Sequence, residues 1–188
     1  MSHFEVRIAG MGGQGIIMAA VMIGRAASIF GGKNVTLTQS YGPESRGGAC
    51  KAEVIVSDER VDYPKVRHPN LIAIMSEEAY QKNISNSNSA ATVVIDPDMV
   101  QEDRSYEHAR VFRVPAARIA EGLGKRIVAN MVIVGAIVAL TNLVDVAAVE
   151  KAIAKYTPRG TEKLNVEAFR RGYELARQQL SEQTVTAQ

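Results

Sequence analysis

Two glycine-bearing stretches hold the residues of this chain best suited to chemistry. The first is GMGGQG, in which Gly10, Gly12 and Gly15 make the spacing G-x-G-x-x-G, with Gly13 and Gln14 inside it. Glycines at this spacing permit a tight turn and a close approach of the backbone to a ligand. Where such a turn opens a helix, the unpaired amides of the first helical turn face an anion. The second stretch is SYGPESRGG, from Ser40 to Gly48. Pro43 and the glycines Gly42, Gly47 and Gly48 suit a loop, but a plain connector has no need of Tyr41, Glu44 and Arg46. A guanidinium such as that of Arg46 forks onto a phosphate or a carboxylate. Glu44 suits an arginine across an interface, and Tyr41 a packed contact with a polar tip. The competing role for Arg46 is an internal salt bridge that pins the loop.

Other residues that often do chemistry read here as structure. A dinucleotide site needs an acid for the ribose at the end of the second strand, and that region reads TLTQS, with no Asp or Glu. A glycine turn that merely packs strand on helix therefore stands beside the ligand-facing reading. His3, His68 and His108 are scattered, with no i, i+4 pair and no neighbouring cysteine, so they read as surface residues and not metal ligands. Cys50 lies inside a strand-like run and reads as a small core residue. Asp96 and Asp98 follow an apolar run, where open α/β sheets place their sites, but DPD is also a turn and a helix cap. No nucleophile elbow and no Ser–His–Asp spacing occurs. The chain lacks a catalytic base, and it reads as a domain that supports chemistry located elsewhere.

These residues need a scaffold, and 188 residues suffice for one domain with a real core. Apolar residues make up 46% of the chain, which excludes disorder, and a net charge of +2 gives no bulk attraction to nucleic acid or a membrane surface. The one cysteine excludes an internal disulfide and any Cys-ligated iron–sulfur cluster held by this chain alone, and it suits a reducing cytoplasm. The N-terminus lacks the layout of a signal peptide. The longest apolar run, Ile127 to Leu140, is too short for a membrane span and reads as a buried core helix.

FEVRIAG, before the glycine turn, reads as a strand, and IIMAAVMIGRAASIF, Ile16 to Phe30, as a buried helix. NVTLTQS is a second strand. ACKAEVIVSD alternates, with Ala52, Val54 and Val56 on one face and Lys51, Glu53 and Ile55 on the other, which suits an antiparallel or edge position. LIAIM, ATVVID and RVFRVP are further strands, and RVDYPKVRHPN between them is a surface loop. Helices follow at SEEAYQKNI, capped by Ser76, at AARIAEGLG, from about Val128, at DVAAVEKAIAKY, capped by Asp145, and at NVEAFRRGYELARQQL, capped by Asn165. The prediction is an α/β fold: a single Rossmann-like domain over residues 1–180 with a mainly parallel sheet, flanking helices and an antiparallel edge strand. Residues 181–188 read as a disordered tail.

The order and separation of GMGGQG and SYGPESRGG resemble the gamma subunit of the 2-oxoacid:ferredoxin oxidoreductases. ANMVIVGAI (Ala129 to Ile137) and PRGTEKLNVEAFRRGYE (Pro158 to Glu174) extend the resemblance over nearly the whole chain. QSYGPESRGG followed by KAEVIVSDE is most similar to the 2-oxoglutarate branch; the indolepyruvate branch usually carries His–Gly in place of Tyr41–Gly42. The resemblance implies a cytoplasmic, heteromeric enzyme that converts a 2-oxoacid, coenzyme A and oxidised ferredoxin into acyl-CoA, carbon dioxide and reduced ferredoxin. It implies thiamine diphosphate and Mg²⁺ between alpha and beta subunits, four-iron iron–sulfur clusters on other chains, and a ferredoxin-like delta subunit. This chain would hold no cofactor alone and be inactive in isolation. Its part in coenzyme A binding would fall to Gly10, Gly12, Gly13, Gln14 and Gly15 with Ser40, Tyr41, Gly42, Glu44, Arg46, Gly47 and Gly48. A stand-alone NAD(P)-dependent oxidoreductase and a ligand-free scaffold subunit are the alternatives.

Overall fold

The computed structural model describes residues 3–41, 48–85, 89–101 and 110–186. Six strands form one sheet in the order β2-β3-β1-β4-β5-β6. They are β1 (His3–Met11), β2 (Asn34–Tyr41), β3 (Ala49–Ser57), β4 (Leu71–Ile74), β5 (Thr92–Ile95) and β6 (Arg110–Arg113). β1, β4, β5 and β6 pair in parallel, whereas β3 runs antiparallel to both β1 and β2. The alternation in ACKAEVIVSD therefore marks an antiparallel strand inside the sheet, and β2 holds the edge. β2 and β1 end at the same side of the sheet from which β3 starts, because Tyr41 and Gly10 both sit opposite Cys50.

One face of the sheet is apolar throughout. Val6 and Ile8 of β1 and Ala52, Val54 and Val56 of β3 pack under α1 (Ile16–Arg25) and α4 (Ala129–Thr141). Nearly every residue of α4 is buried, as its unbroken apolar sequence requires. α1 ends at Arg25, and the rest of the predicted helix, Ala26–Phe30, widens into a π turn. α3 (Ala116–Gly122), α5 (Val146–Tyr156) and α6 (Glu162–Thr186) complete this layer. α4 and α6 meet backbone to backbone: a Cβ on Gly135 would meet the backbone of Phe169 and Tyr173, and one on Gly172 that of Val132.

The opposite face is mixed. Ala9, Ile72, Ile74, Val93 and Ile95 are covered by Ala79 and Tyr80 of α2 (Glu77–Asn83), whose N-cap Ser76 accepts the Ala79 amide as predicted. Toward β3 the same face turns polar. Arg7 and Glu53 pair at 2.7 Å with both side chains about nine-tenths buried. The Glu5 carboxylate accepts the Arg67 and His68 amides at 3.2 and 3.0 Å, which fastens the RVDYPKVRHPN loop to the sheet.

Three helix boundaries differ from the sequence reading. Asp145 is the N-cap of α5, but its side chain makes no capping hydrogen bond. α6 begins at Glu162, so Asn165 lies one turn inside it and donates to the carbonyl and hydroxyl of Thr161. α6 also runs past Leu180 to Thr186. Gln179 and, in the added length, Gln183 donate to the carbonyls of Arg113 and Val111, at 2.8 and 3.3 Å, along the margin of β6. β2, at the other margin, has no further strand beside it among the described residues.

Candidate functional site

The two glycine stretches meet at the C-terminal end of β1. The Gly12 amide donates to the Gly48 carbonyl at 2.9 Å, joining segments that lie 36 residues apart. Ser40 and Tyr41 arrive on β2, opposite Lys51 and Cys50, and Tyr41 is 64% exposed. Gly42, Glu44, Arg46 and Gly47 lie outside the described residues, as does Pro43.

Each residue of the first turn has a distinct part. Gly10 still belongs to β1, and a Cβ there would strike Gln14 and Ile16 at 2.5 and 2.6 Å. Gly13 and Gly15 hold φ of +94° and +77°, where other residues are strained. Among the described residues no atom stands within 4 Å of a Cβ on Gly13. Gln14 is a brace: its Oε1 accepts the Met11 amide at 2.7 Å and its Nε2 donates to the Met75 carbonyl at 2.8 Å, locking the turn to β4. Gly15 is the N-cap of α1 and carries no capping side chain. The first helical bond runs from the Ala19 amide to the Gly15 carbonyl, so the amides of Ile16, Ile17 and Met18 have no partner within the helix.

Asn130, near the start of α4, reaches over Gly15 into the space that a Cβ would fill. Its Nδ2 donates to the Gly15 carbonyl at 3.2 Å, while its buried Oδ1 has no partner among the described residues. A buried acceptor without a donor is costly, and here it stands beside the unpaired amides of α1.

A cavity of about 460 Å³ opens beside the turn, lined by Met11, Gly12, Gly13 and Gln14 on one side and by Asp96, Met99, Ala117 and Ile127 on the other. Much of its wall is methionine and isoleucine side chain, and Met11 and Ile127 remain 39% and 57% exposed at the mouth. Arg126 also lines it. The guanidinium has soft or distant partners, the Met99 sulfur at 3.3 Å and the Glu121 carboxylate at 3.6 Å. Asp96 is fully buried in the floor, and burial pushes its carboxyl above the ordinary value against the opposing effect of the Ala117 and Asp98 amides. The arrangement offers backbone donors of the glycine turn, an arginine held only by a sulfur and a distant carboxylate, and a largely apolar wall, which suit an anionic ligand with an apolar portion.

The sequence reading missed Arg126 and Asn130, which come from another element more than 100 residues away. A signal existed in Asn130, a lone amide in the first turn of an otherwise apolar helix. Asp96 and Asp98 form the predicted turn, with the Asp98 amide donating to Asp96 Oδ1 at 3.0 Å. His108 lies outside the described residues, and these contain no group of three or more His, Cys, Asp or Glu side chains fit for a metal ion. Cys50 is buried, and burial raises its thiol. No described helix is long and apolar enough to cross a membrane.

Residues 5–175 match the family described as pyruvate ferredoxin/flavodoxin oxidoreductase. The 2-oxoglutarate synthase subunit KorC of Methanothermobacter marburgensis is 46% identical over 177 residues, covering 91% of this chain and 95% of that protein. The gamma subunit of a keto/oxoacid ferredoxin oxidoreductase from Geobacter sulfurreducens superposes with a TM-score of 0.83 at 37% identity, over 94% of this chain and 97% of that one. The fold also recurs, at 24% identity and a TM-score of 0.84, in 32% of a chain of the Magnetococcus marinus 2-oxoglutarate:ferredoxin oxidoreductase. That structure has 2-oxoglutarate, coenzyme A and succinyl-CoA bound.

Proposed function

Because this chain belongs to the pyruvate ferredoxin/flavodoxin oxidoreductase family and is the gamma subunit of a 2-oxoglutarate:ferredoxin oxidoreductase, we propose that it holds coenzyme A at the cavity beside its glycine turn. The holoenzyme oxidatively decarboxylates 2-oxoglutarate and places the resulting acyl group on coenzyme A, with electrons leaving to ferredoxin. Thiamine diphosphate, Mg²⁺ and the iron–sulfur clusters belong to companion alpha, beta and delta chains and supply the bond-breaking and redox chemistry. All of this takes place in the cytoplasm. This chain binds and orients one co-substrate.

The observation that carries the reading is the Gly12–Gly48 junction, which sets two glycine segments side by side next to the unpaired amides of α1. The backbone of Gly12 to Gln14 and Arg126 meet the phosphates, and the methionine-lined wall receives an apolar portion. The cavity admits part of coenzyme A, and the remainder passes the mouth toward the thiamine-bearing chains. Arg46, five residues after Tyr41 in the sequence, is the second guanidinium we assign to coenzyme A.

Exposed Met11, Tyr41 and Ile127 at the same end favour a second role, contact with a companion chain. Substitution separates the two. A charge-assisted hydrogen bond contributes about 1.5–3 kcal/mol, so Arg46→Ala or Arg126→Ala weakens its contact roughly tenfold to a hundredfold. If the contact is coenzyme A, the KM for coenzyme A rises in the reconstituted enzyme while decarboxylation without coenzyme A stays near normal. If it is a companion chain, assembly weakens at every coenzyme A concentration. If both variants only melt earlier, with coenzyme A kinetics and assembly unchanged at low temperature, the two arginines are internal braces and the reading fails.

A further inference from the structure

We propose that Asp96 is a positioning residue that fixes the wall of the coenzyme A cavity facing the glycine turn. The inference rests on the site assigned above and concerns a residue in the cavity floor whose two carboxylate oxygens are both engaged by backbone amides, so that it acts through the wall it holds.

α3 follows Pro115, which has no side-chain acceptor to offer, so its first-turn amides need one from elsewhere. Asp96 supplies it from the end of β5: its Oδ2 accepts the Ala117 amide at 2.8 Å, across 21 residues of chain. Its Oδ1 accepts the Asp98 amide at 3.0 Å, and its carbonyl accepts the Met99 and Val100 amides at 3.0 and 2.9 Å. Asp98 is in turn ion-paired with Arg118, the residue after Ala117. The turn after β5 and the start of α3 are thus one block, tied to β4 by the Asp96 amide on the Ile74 carbonyl at 3.2 Å.

That block carries Met99 and Ala117, which face the cavity. The opposite wall, Met11 to Gln14, is tied to the same strand by Gln14 on the Met75 carbonyl. The width of the cavity is therefore set by two side-chain clamps on neighbouring strand ends. Binding sites held in this way lose affinity when a wall shifts, even where every ligand contact is chemically intact. Asp98 and Arg118 are the charged groups that act on the Asp96 carboxyl. Both belong to the block, so the clamp and its charge partners move as a unit.

Asp96→Asn turns an amide N–H₂ toward one of the two backbone N–H donors and releases one tie without changing volume. In the assembled enzyme the KM for coenzyme A rises about tenfold, the loss of one charge-assisted bond. The kcat at saturating coenzyme A and the KM for 2-oxoglutarate stay within twofold. Gly13→Val, measured beside it, tests the site itself. If Gly13→Val raises the KM for coenzyme A and Asp96→Asn does not, the clamp is not a determinant and the inference is overturned while the site stands. If neither moves it, the site assignment fails and takes the inference with it. If Asp96→Asn lowers the melting temperature and shifts kcat and both KM values together, Asp96 is a brace for the whole fold and the inference is likewise overturned.

Discussion

Gly172→Ala tests the closest packing in the molecule. A Cβ at Gly172 would lie 2.7 Å from the carbonyl carbon of Val132 and 2.9 Å from its Cα. Ordinary contact begins at 3.4 Å, so α6 must retreat from α4 by at least 0.7 Å. Neither obstacle is a side chain that can rotate away. Overpacking of this kind costs about 1–3 kcal/mol, and a backbone obstacle places the cost toward the upper end. Against it stands the gain of about 1 kcal/mol when alanine replaces glycine inside a helix. The net loss is about 2 kcal/mol, a fall in melting temperature of roughly 4–8 °C for a domain of this size. Thermal and urea unfolding of the purified chain, followed by circular dichroism, measures it. Gly135→Ala has the same sign, and the double variant costs less than the sum, because helices already parted make room for the second methyl group. A Gly172→Ala chain that melts at or above the parent temperature would show that the two helix backbones are not in contact, and the packing argument would fall.

Three further outcomes follow from the geometry. Gly13→Val destabilises by only about 1–2 kcal/mol, the cost of a left-handed residue, but removes the coenzyme A response; retained turnover at parental KM would show that the turn faces nothing of consequence. Arg7→Ala leaves Glu53 buried with the partly exposed Lys51 and the Thr38 hydroxyl, at 3.6 and 3.4 Å, still in reach and costs about 3–5 kcal/mol in urea titration, whereas a loss under 1 kcal/mol would mean that water already serves the pair. Asp96, raised by burial, holds its proton more firmly in the folded chain, so its contribution to stability is present below the unfolded value of about 3.9 and is lost as pH rises through the native value; the stability of the parent minus that of Asp96→Asn falls over this window, and a flat difference refutes the assignment.

The strands and most helices were legible because their signals are local. Alternation in ACKAEVIVSD, the glycine stop after AARIAEGLG and the apolar run from Val128 each act within one element. The antiparallel placement of β3 could be read, but its position between β2 and β1 could not, since pairing partners are set by the whole sheet. Asn165 does not cap α6 because Glu162, Lys163 and Leu164 extend the helix backward, and its side chain instead donates to the carbonyl and hydroxyl of Thr161, four residues earlier. At the site, the glycine turn was legible and its surroundings were not. Gln14 was read as a ligand contact, yet its side chain is occupied in bracing β1 to β4. Asn130 and Arg126 reach the site only through the docking of α4 and of the short turn, Arg126–Val128, that precedes it, a contact that no short-range pattern encodes.

The two margins of the sheet have opposite fates in assembly. Along β6, Gln179 and Gln183 occupy the carbonyls of Arg113 and Val111 and stand where an incoming strand would lie. The β2 margin is an uncharged strand, Asn34–Tyr41, without proline or glycine. A strand-by-strand ribbon needs a donor margin and an acceptor margin on every copy, so that each addition creates the next site. Among the described residues an addition at β2 consumes the single open margin and creates none. The sheet can end in a closed pair or a capped complex, and its edge cannot seed a fibre; a helix that outlasts the core by a few turns thus acts as a chain terminator.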